Sequence, residues 1–508
     1  MSPRSCEGFL LPWKFLPRQS FSRIAKAAIQ NRNVPAKVHY PRTMTEMQHA
    51  DKATRPRIQP AEEGDDRPLS VSARLGRLQF HQSGKFRVLQ FADIQDGPDV
   101  SKDTVKLIEA SVDATRPDLV IFSGNQIAGY DPAYAQTTRK RRWSARPAGD
   151  ASKASEERYA AALERTRGLV RQTIGRLVQP LAEHGIPWAV TFGNHDFQCG
   201  LDNAEIEGIC REFPGCLNPA REETADAGTR DGREAMLPDQ PAYACAPGTF
   251  ALLVSDVDRT HDVLGLVLLD SGDYARSGGY GSPSAAALRF LADVPERMWA
   301  ARPQEGRDGA GKLPCMVFQH FPVAQYYQLL KPVAATAARA IEGYRDFAGR
   351  HFVLDEDKTQ PGSYLGEGVS CPDADSGEFA ILGKSGYFAI SAGHDHRNAF
   401  VGSIAAGDGE DEDRRIMMVA SPTSGFGSYG PVPEKRAARL FEFDIRHPYE
   451  PRTQLLEYGE LVGKPSAGRP YAYGMTSESK PDAEGMDLLH RPTWWGKVLG
   501  RLAALVRR

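Results

Sequence analysis

Five apolar runs of strand length, spaced by polar or amphipathic stretches, constrain this chain more than any other feature. They are FRVLQF, LVIF, WAVTF, CMVF and YFAISA. Helical spacing fills the intervals between the first three. VKLIEASVDATR leads into PDLVIFSGN, and EERYAAALERTRGLVRQTIGRLVQPLAEHG leads through Pro187 into WAVTFGNHD. In the second helix Leu163, Val170, Ile174, Leu177 and Val178 recur at helical intervals, and Gly185 supplies a stop. Strand, helix and strand in alternation predict a layered α/β domain with at least some parallel pairing. Order is expected from near LGRLQFHQSGKFRVLQFAD, where two β-rich runs flank a turn at Gln82-Ser83-Gly84.

A chain of 508 residues is long enough for one large domain or two ordinary ones. Lys plus Arg (63) nearly balances Asp plus Glu (65), so net charge gives no reason to expect nucleic-acid binding. Seven Cys without a CxxC pair do not make a disulfide scaffold. Cys199, Cys210, Cys216 and Cys245 fall in one stretch, but their irregular spacing and lack of nearby His favour ordinary thiols over a zinc knuckle.

No run approaches the ~20 apolar residues of a membrane span. The apolar stretch near the start is broken by Pro12, Lys14 and Pro17, and no small-residue cleavage site follows. We therefore expect a cytoplasmic chain. Residues 1–75 are expected to be disordered, so a start at Met44 or Met47 would lose little. The main domain is expected over 76–460, a linker over 461–490, and a basic amphipathic helix over 491–508. That helix places Trp494, Trp495, Leu499 and Leu502 among Lys497, Arg501, Arg507 and Arg508. It suits either peripheral contact with an anionic membrane surface or docking on the domain. Three charged stretches, 139–155, 200–240 and 405–415, read as solvated loops, the last as a tight acidic turn between strands.

Each apolar run ends in groups able to bind metal or move protons. FRVLQF ends in Ala92-Asp93-Ile94-Gln95, LVIF in Ser123-Gly124-Asn125-Gln126, and WAVTF in Gly193-Asn194-His195-Asp196. CMVF ends in Gln319-His320-Phe321-Pro322, and YFAISA in Gly393-His394-Asp395-His396. Carboxyl ends of strands in such sheets share one edge, where ligand-binding groups converge. The order resembles the calcineurin-like metallophosphoesterase pattern of DxH, GD, GNHD, a lone His and GHxH. Together with SPTSGFGSYGPVPEKRAARLFEFD, it is most similar to the branch named purple-acid-phosphatase-like.

The resemblance implies a four-layer sandwich of two mixed β-sheets packed face to face with helices outside. It also implies one or two divalent metals (Mn, Fe or Zn). The first would contact Asp93, Gln95, Asn125 and His396, and the second Asn125, Asn194, His320 and His394. His195 would act as general acid or oxyanion stabiliser. Two such cations clamp a phosphate ester and activate water. Asp196 and Asp395 would either orient neighbouring imidazoles or bond loop amides. The subtype is narrowed by two absences. Ala128 stands where iron-binding purple acid phosphatases carry a Tyr ligand, and Gln126-Ile127-Ala128-Gly129 lacks the protein-phosphatase Asp followed by Arg-Gly.

Two positions depart from the pattern. Gln95 replaces an imidazole and Asn125 replaces the bridging carboxylate, which removes a negative charge and a second metal-binding oxygen. Asp96, Asp99 or Asp131 would have to compensate, or one metal would have to suffice. The expected function is metal-dependent hydrolysis of a phosphate mono- or diester. The alternative is a catalytically impaired relative that binds a phosphorylated ligand or protein. Val267–Tyr274, Tyr280 and Tyr429 read either as cleft-lining groups or as covers for core edges.

Overall fold

Two sheets packed face to face carry the chain. Their strands, in chain order, are β1 (Lys85–Phe91), β2 (Leu119–Ser123), β3 (Trp188–Thr191), β4 (Ala242–Ala246), β5 (Thr249–Ser255), β6 (Asp262–Leu269) and β7 (Cys315–Gln319). A small group follows, β8 (Leu330–Val333), β9 (Ile341–Glu342) and β10 (His351–Leu354). The last are β11 (Tyr387–Ala392), β12 (Val401–Ala405), β13 (Arg415–Ala420), β14 (Ala437–Asp444) and β15 (His447–Glu457). The helices are α1 (Val71–Leu75), α2 (Lys102–Thr115), α3 (Lys153–Glu183), α4 (Asn203–Cys210), α5 (Ala285–Ala300), α6 (Glu378–Ser385) and α7 (Tyr458–Leu461).

This computed structural model describes residues 67–144, 152–220, 236–302, 311–407 and 414–464, all within the compact unit Arg57–Arg508. The expectations for residues 1–66, for the linker beyond 464 and for the 491–508 helix lie outside the described residues.

One sheet has the order β15-β14-β1-β2-β3 and the other β12-β13-β11-β7-β6-β5-β4. β1, β2 and β3 are parallel, as are β6, β7, β11 and β13, while β14, β15 and the remaining edge strands pair antiparallel. Side-chain alternation explains the layers. Phe86, Val88, Leu119 and Ile121 meet Leu264, Leu266, Leu268, Met316 and Phe318 between the sheets. Their neighbours Leu89, Phe91, Val120 and Phe122 point outward to Leu107, Ile108, Val112, Val170 and Ile174 of α2 and α3. On the far side Val267, Leu269, Cys315 and Val317 meet Phe290, Leu291, Val294 and Met298 of α5 and Leu382 of α6. Strands covered on both faces read as continuous apolar runs, which is why all five stood out in the sequence. The four-layer sandwich is thus the observed fold.

A polar seam crosses the apolar filling close to the strand ends. Gln90 donates to Ser123 Oγ at 2.7 Å, while its Oε1 accepts from Ser391 Oγ (2.6 Å) and Ser421 Oγ (3.0 Å). These bonds tie β1 and β2 to β11 and β13, so the loops that follow are held in mutual register.

Two boundaries differ from expectation. Order begins before residue 76, because Ser70 caps α1 and the buried Asp118 carboxylate accepts from Ser72 N (3.1 Å) and Ser72 Oγ (3.0 Å). Those are polar, long-range ties that leave no apolar periodicity to read. Of the two β-rich runs before residue 92, only the second is a strand; the first makes an isolated bridge, Gln79 to Ser255. The small sheet β8-β10-β9 has no counterpart among the expected elements. Cys199, Cys210, Cys216 and Cys245 are free thiols, in line with the ordinary reading. Among the described residues no helix is long and apolar enough to cross a membrane.

Candidate functional site

The loops after β1, β2, β3, β7 and β11 meet at one edge, because these strands run parallel within their sheets and end in step. Their backbone is strained there. Of the eight non-glycine residues with positive φ among the described residues, four are Asp93 (52°), Gln95 (44°), Asn125 (55°) and His394 (71°). Left-handed backbone costs an L-residue energy and is held only where surrounding structure imposes it. The motif glycines have a steric reason. A Cβ on Gly193 would lie 2.2 Å from Asn125 Oδ1, and one on Gly393 would lie 2.6 Å from Asp93 Oδ2.

Asn125 is fully buried at the centre of the predicted ligands. Its Oδ1 accepts the backbone N–H of His195 at 2.9 Å, and that donor fixes which way the amide faces. The Nδ2 group therefore points at the groups that would bind metal. It lies 3.1 Å from Asp93 Oδ1, 3.2 Å from Asn194 Oδ1 and 3.0 Å from His320 Nε2. A bridging anionic oxygen is replaced by N–H donors. Gln95 is also turned aside, its Oε1 accepting from Tyr130 OH at 3.3 Å. Among the described residues no three His, Cys, Asp or Glu side chains are grouped to hold an ion. These residues do not fit the two-metal centre that the resemblance implies.

The remaining predicted residues do come together. His396 donates from Nδ1 to Tyr429 O at 2.7 Å, leaving Nε2 at 3.3 Å from Asp93 Oδ1. Asp93 Oδ2 accepts from His394 N at 2.6 Å. Burial works to raise the Asp93 carboxyl, yet the facing His320 and His396 imidazoles hold it well below the usual range. Burial lowers His320 and pushes His394 far below its ordinary value, which disfavours their charged forms.

Nearby carboxylates do not compensate. Asp96 accepts from Ser101 N and Thr104 Oγ1 at the start of α2, Asp131 caps its own turn, and Asp99 is exposed. Asp196 accepts backbone N–H bonds from Asn125 (2.8 Å), Gly193 (2.8 Å) and Ile127 (3.0 Å). Asp395 accepts from Ser370 N and Asn398 Nδ2. Both act as loop carboxylates bonding amides.

The half-buried His195 is organised by a residue the sequence did not single out. Gln198 donates from Nε2 to Lys140 O (3.1 Å), so its Oε1 faces His195 Nδ1 at 2.7 Å. Nδ1 thus carries the hydrogen and Nε2 presents a lone pair. Burial drives this imidazole down to about 4, only partly offset by Gln198, so it is neutral near pH 7. Tyr274 accepts from Asn194 Nδ2 at 2.7 Å. Tyr280 packs its ring 4.3 Å from that of His394, and Tyr429 stacks 4.1 Å from His396. These tyrosines cover the site's own imidazoles. A GNHD motif followed at i+3 by Gln was the available signal for Gln198. The half-buried Glu367, which accepts from Arg397 N at 2.9 Å, had none.

The buried Glu378 lies against Gln319, the residue before His320. Gln319 donates from Nε2 to Phe321 O at 2.7 Å, and neither its Oε1 nor Glu378 Oε1 finds another donor. Burial raises the Glu378 carboxyl to about 7 from an ordinary 4.5, with the Gln319 bond lowering it only partly. The native state therefore prefers the protonated acid. Stability from this preference is complete below pH 4.5 and is lost as pH rises through about 7. Glu378→Gln is expected to stabilise the protein at pH 8 relative to pH 5 by up to about 3 kcal/mol in urea unfolding. A difference independent of pH would contradict this account.

Known proteins share sequence with this chain. Residues 86–226 match the family described as calcineurin-like phosphoesterase. "Probable inactive purple acid phosphatase 29" of Arabidopsis thaliana is 19% identical over 402 residues, covering 74% of this chain and 82% of that one. "Probable inactive purple acid phosphatase 28" of the same plant is 23% identical over 388 residues, covering 72% and 77%. "Phosphatase DCR2" of Saccharomyces cerevisiae is 22% identical over 360 residues, covering 66% of this chain and 47% of that one.

Proposed function

We propose, for a chain that carries a calcineurin-like phosphoesterase domain, that its site binds a phosphorylated ligand without two-metal hydrolysis. The observation that carries this reading is the Asn125 carboxamide, whose Nδ2 faces Asp93, Asn194 and His320. A hydrolytic centre of this family needs a shared anionic oxygen to screen two cations from each other. Here the same point is occupied by the two N–H donors of the amide. His195 adds to the argument, since a neutral ring with Nε2 as acceptor has no proton ready for a leaving group. Its Nε2 lies 3.4 Å from Asn194 Nδ2. The "probable inactive" names of two relatives point the same way.

A second reading, metal-dependent hydrolysis, is favoured by the gathering of Asp93, Asn194, His320, His394 and His396 around one point. Calorimetric titration with phenyl phosphate, run beside an aryl-phosphate turnover assay across Mn, Zn, Fe, Co and Mg, separates the two. Binding is expected, with turnover no greater than that of His394→Ala. Turnover that needs metal and disappears in both His195→Ala and His394→Ala would overturn the proposal in favour of hydrolysis.

A further inference from the structure

The Arg-rich stretch beginning at Arg139 reads in the sequence as a solvated loop. Its described part, residues 139–144, instead lies along the rim of the site. Arg139 N donates to Gln198 O at 3.0 Å, and Gln198 Nε2 returns to Lys140 O, which ties the strap to the partner of His195. Arg142 pairs with Asp270 at 3.4 Å and Asp273 at 3.7 Å, so its charge is neutralised. Arg141 is different. Its guanidinium lies over the Tyr274 ring, 3.6 Å from the centroid, and among the described residues no carboxylate forms an ion pair with it. The hydroxyl of that same tyrosine bonds Asn194, and its ring is 6.4 Å from that of His195. One aromatic ring therefore separates this cation from the GNHD motif.

We propose that Arg141 is the anion-binding residue of this site and that its ligand is a phosphate monoester dianion. The proposal rests on the reading that the site binds a phosphorylated ligand. Its basis is the charge distribution. Asp93 is the buried carboxyl of the pit, and Arg141, stacked on Tyr274, places a cation one ring away from the GNHD motif. A dianion needs a cation, and a guanidinium keeps its charge and offers a planar fork that matches two phosphate oxygens. Stacking on Tyr274 holds that fork in place before the ligand arrives, which limits the ordering cost of binding. A diester carries half the charge and gains less from the same contact.

Full-length protein would be titrated calorimetrically with inorganic phosphate, phenyl phosphate and the diester methyl phenyl phosphate. Arg141→Ala is expected to weaken both dianions by about tenfold to about a hundredfold, the range of a charge-assisted contact. Arg141→Lys should retain part of the affinity, and Arg289→Ala, an exposed control on α5, all of it. The diester should bind more weakly and respond less to position 141. Dianion binding unchanged in Arg141→Ala but lost in His394→Ala would overturn the role of Arg141 and leave phosphate binding standing. Failure of the unmodified protein to bind either dianion would overturn both.

Discussion

Asn125→Asp combined with Gln95→His is expected to turn a chain that retains little divalent metal into one that carries about two ions per molecule. Asn125 and Asp93 are both fully buried, and the amide donates to the carboxylate across 3.1 Å. Asn125→Asp alone replaces that donor with a like charge, at a cost of about 3–5 kcal/mol, as for other uncompensated buried charges. A cation between the two carboxylates would remove the repulsion and use the freed lone pairs of Asn194 and His320. The single variant should therefore melt lower than the parent without metal and recover with Mn or Zn, whereas the parent should respond to neither metal nor chelator. Elemental analysis of the double variant and its parent, both purified without added metal, reads the outcome directly. Tight stoichiometric metal in the parent would refute the account.

Asp196→Ala should be among the most destabilising single changes near the site, by at least about 3 kcal/mol. Three backbone N–H groups, from Asn125, Gly193 and Ile127, converge on its carboxylate. Each buried donor left without a partner costs about 1–3 kcal/mol. Two of them belong to the loops that hold the left-handed Asn125 against His195. Asp196→Asn, which keeps an acceptor oxygen, should lose noticeably less. Urea unfolding of the two variants tests this. Were Asp196 an orienter of His195, Asp196→Ala would leave stability intact and change only the imidazole's titration.

The gathering of the motifs was legible because their chemistry follows directly after doubly covered strands, where apolar runs mark both position and direction. The charge lost at Asn125 was legible too. The direction of the amide was not, because it depends on one backbone donor, His195 N, 70 residues along the chain. The contacts of the Arg-rich loop were not legible for a related reason. A run of arginines has no local sign that Asp270 and Asp273 will pin one of them, and Tyr274 will carry another, more than a hundred residues later. Helix α1 was missed because Asp118, not an apolar stripe, anchors its start.

The left-handed backbone at Asp93, Gln95, Asn125 and His394 has a consequence for redesign. An unfavourable posture of this kind serves no purpose in a loop that only fills space, yet here it persists around an amide. With the posture already in place, Asn125→Asp and Gln95→His would change side chains alone, and no loop would have to refold to receive an ion.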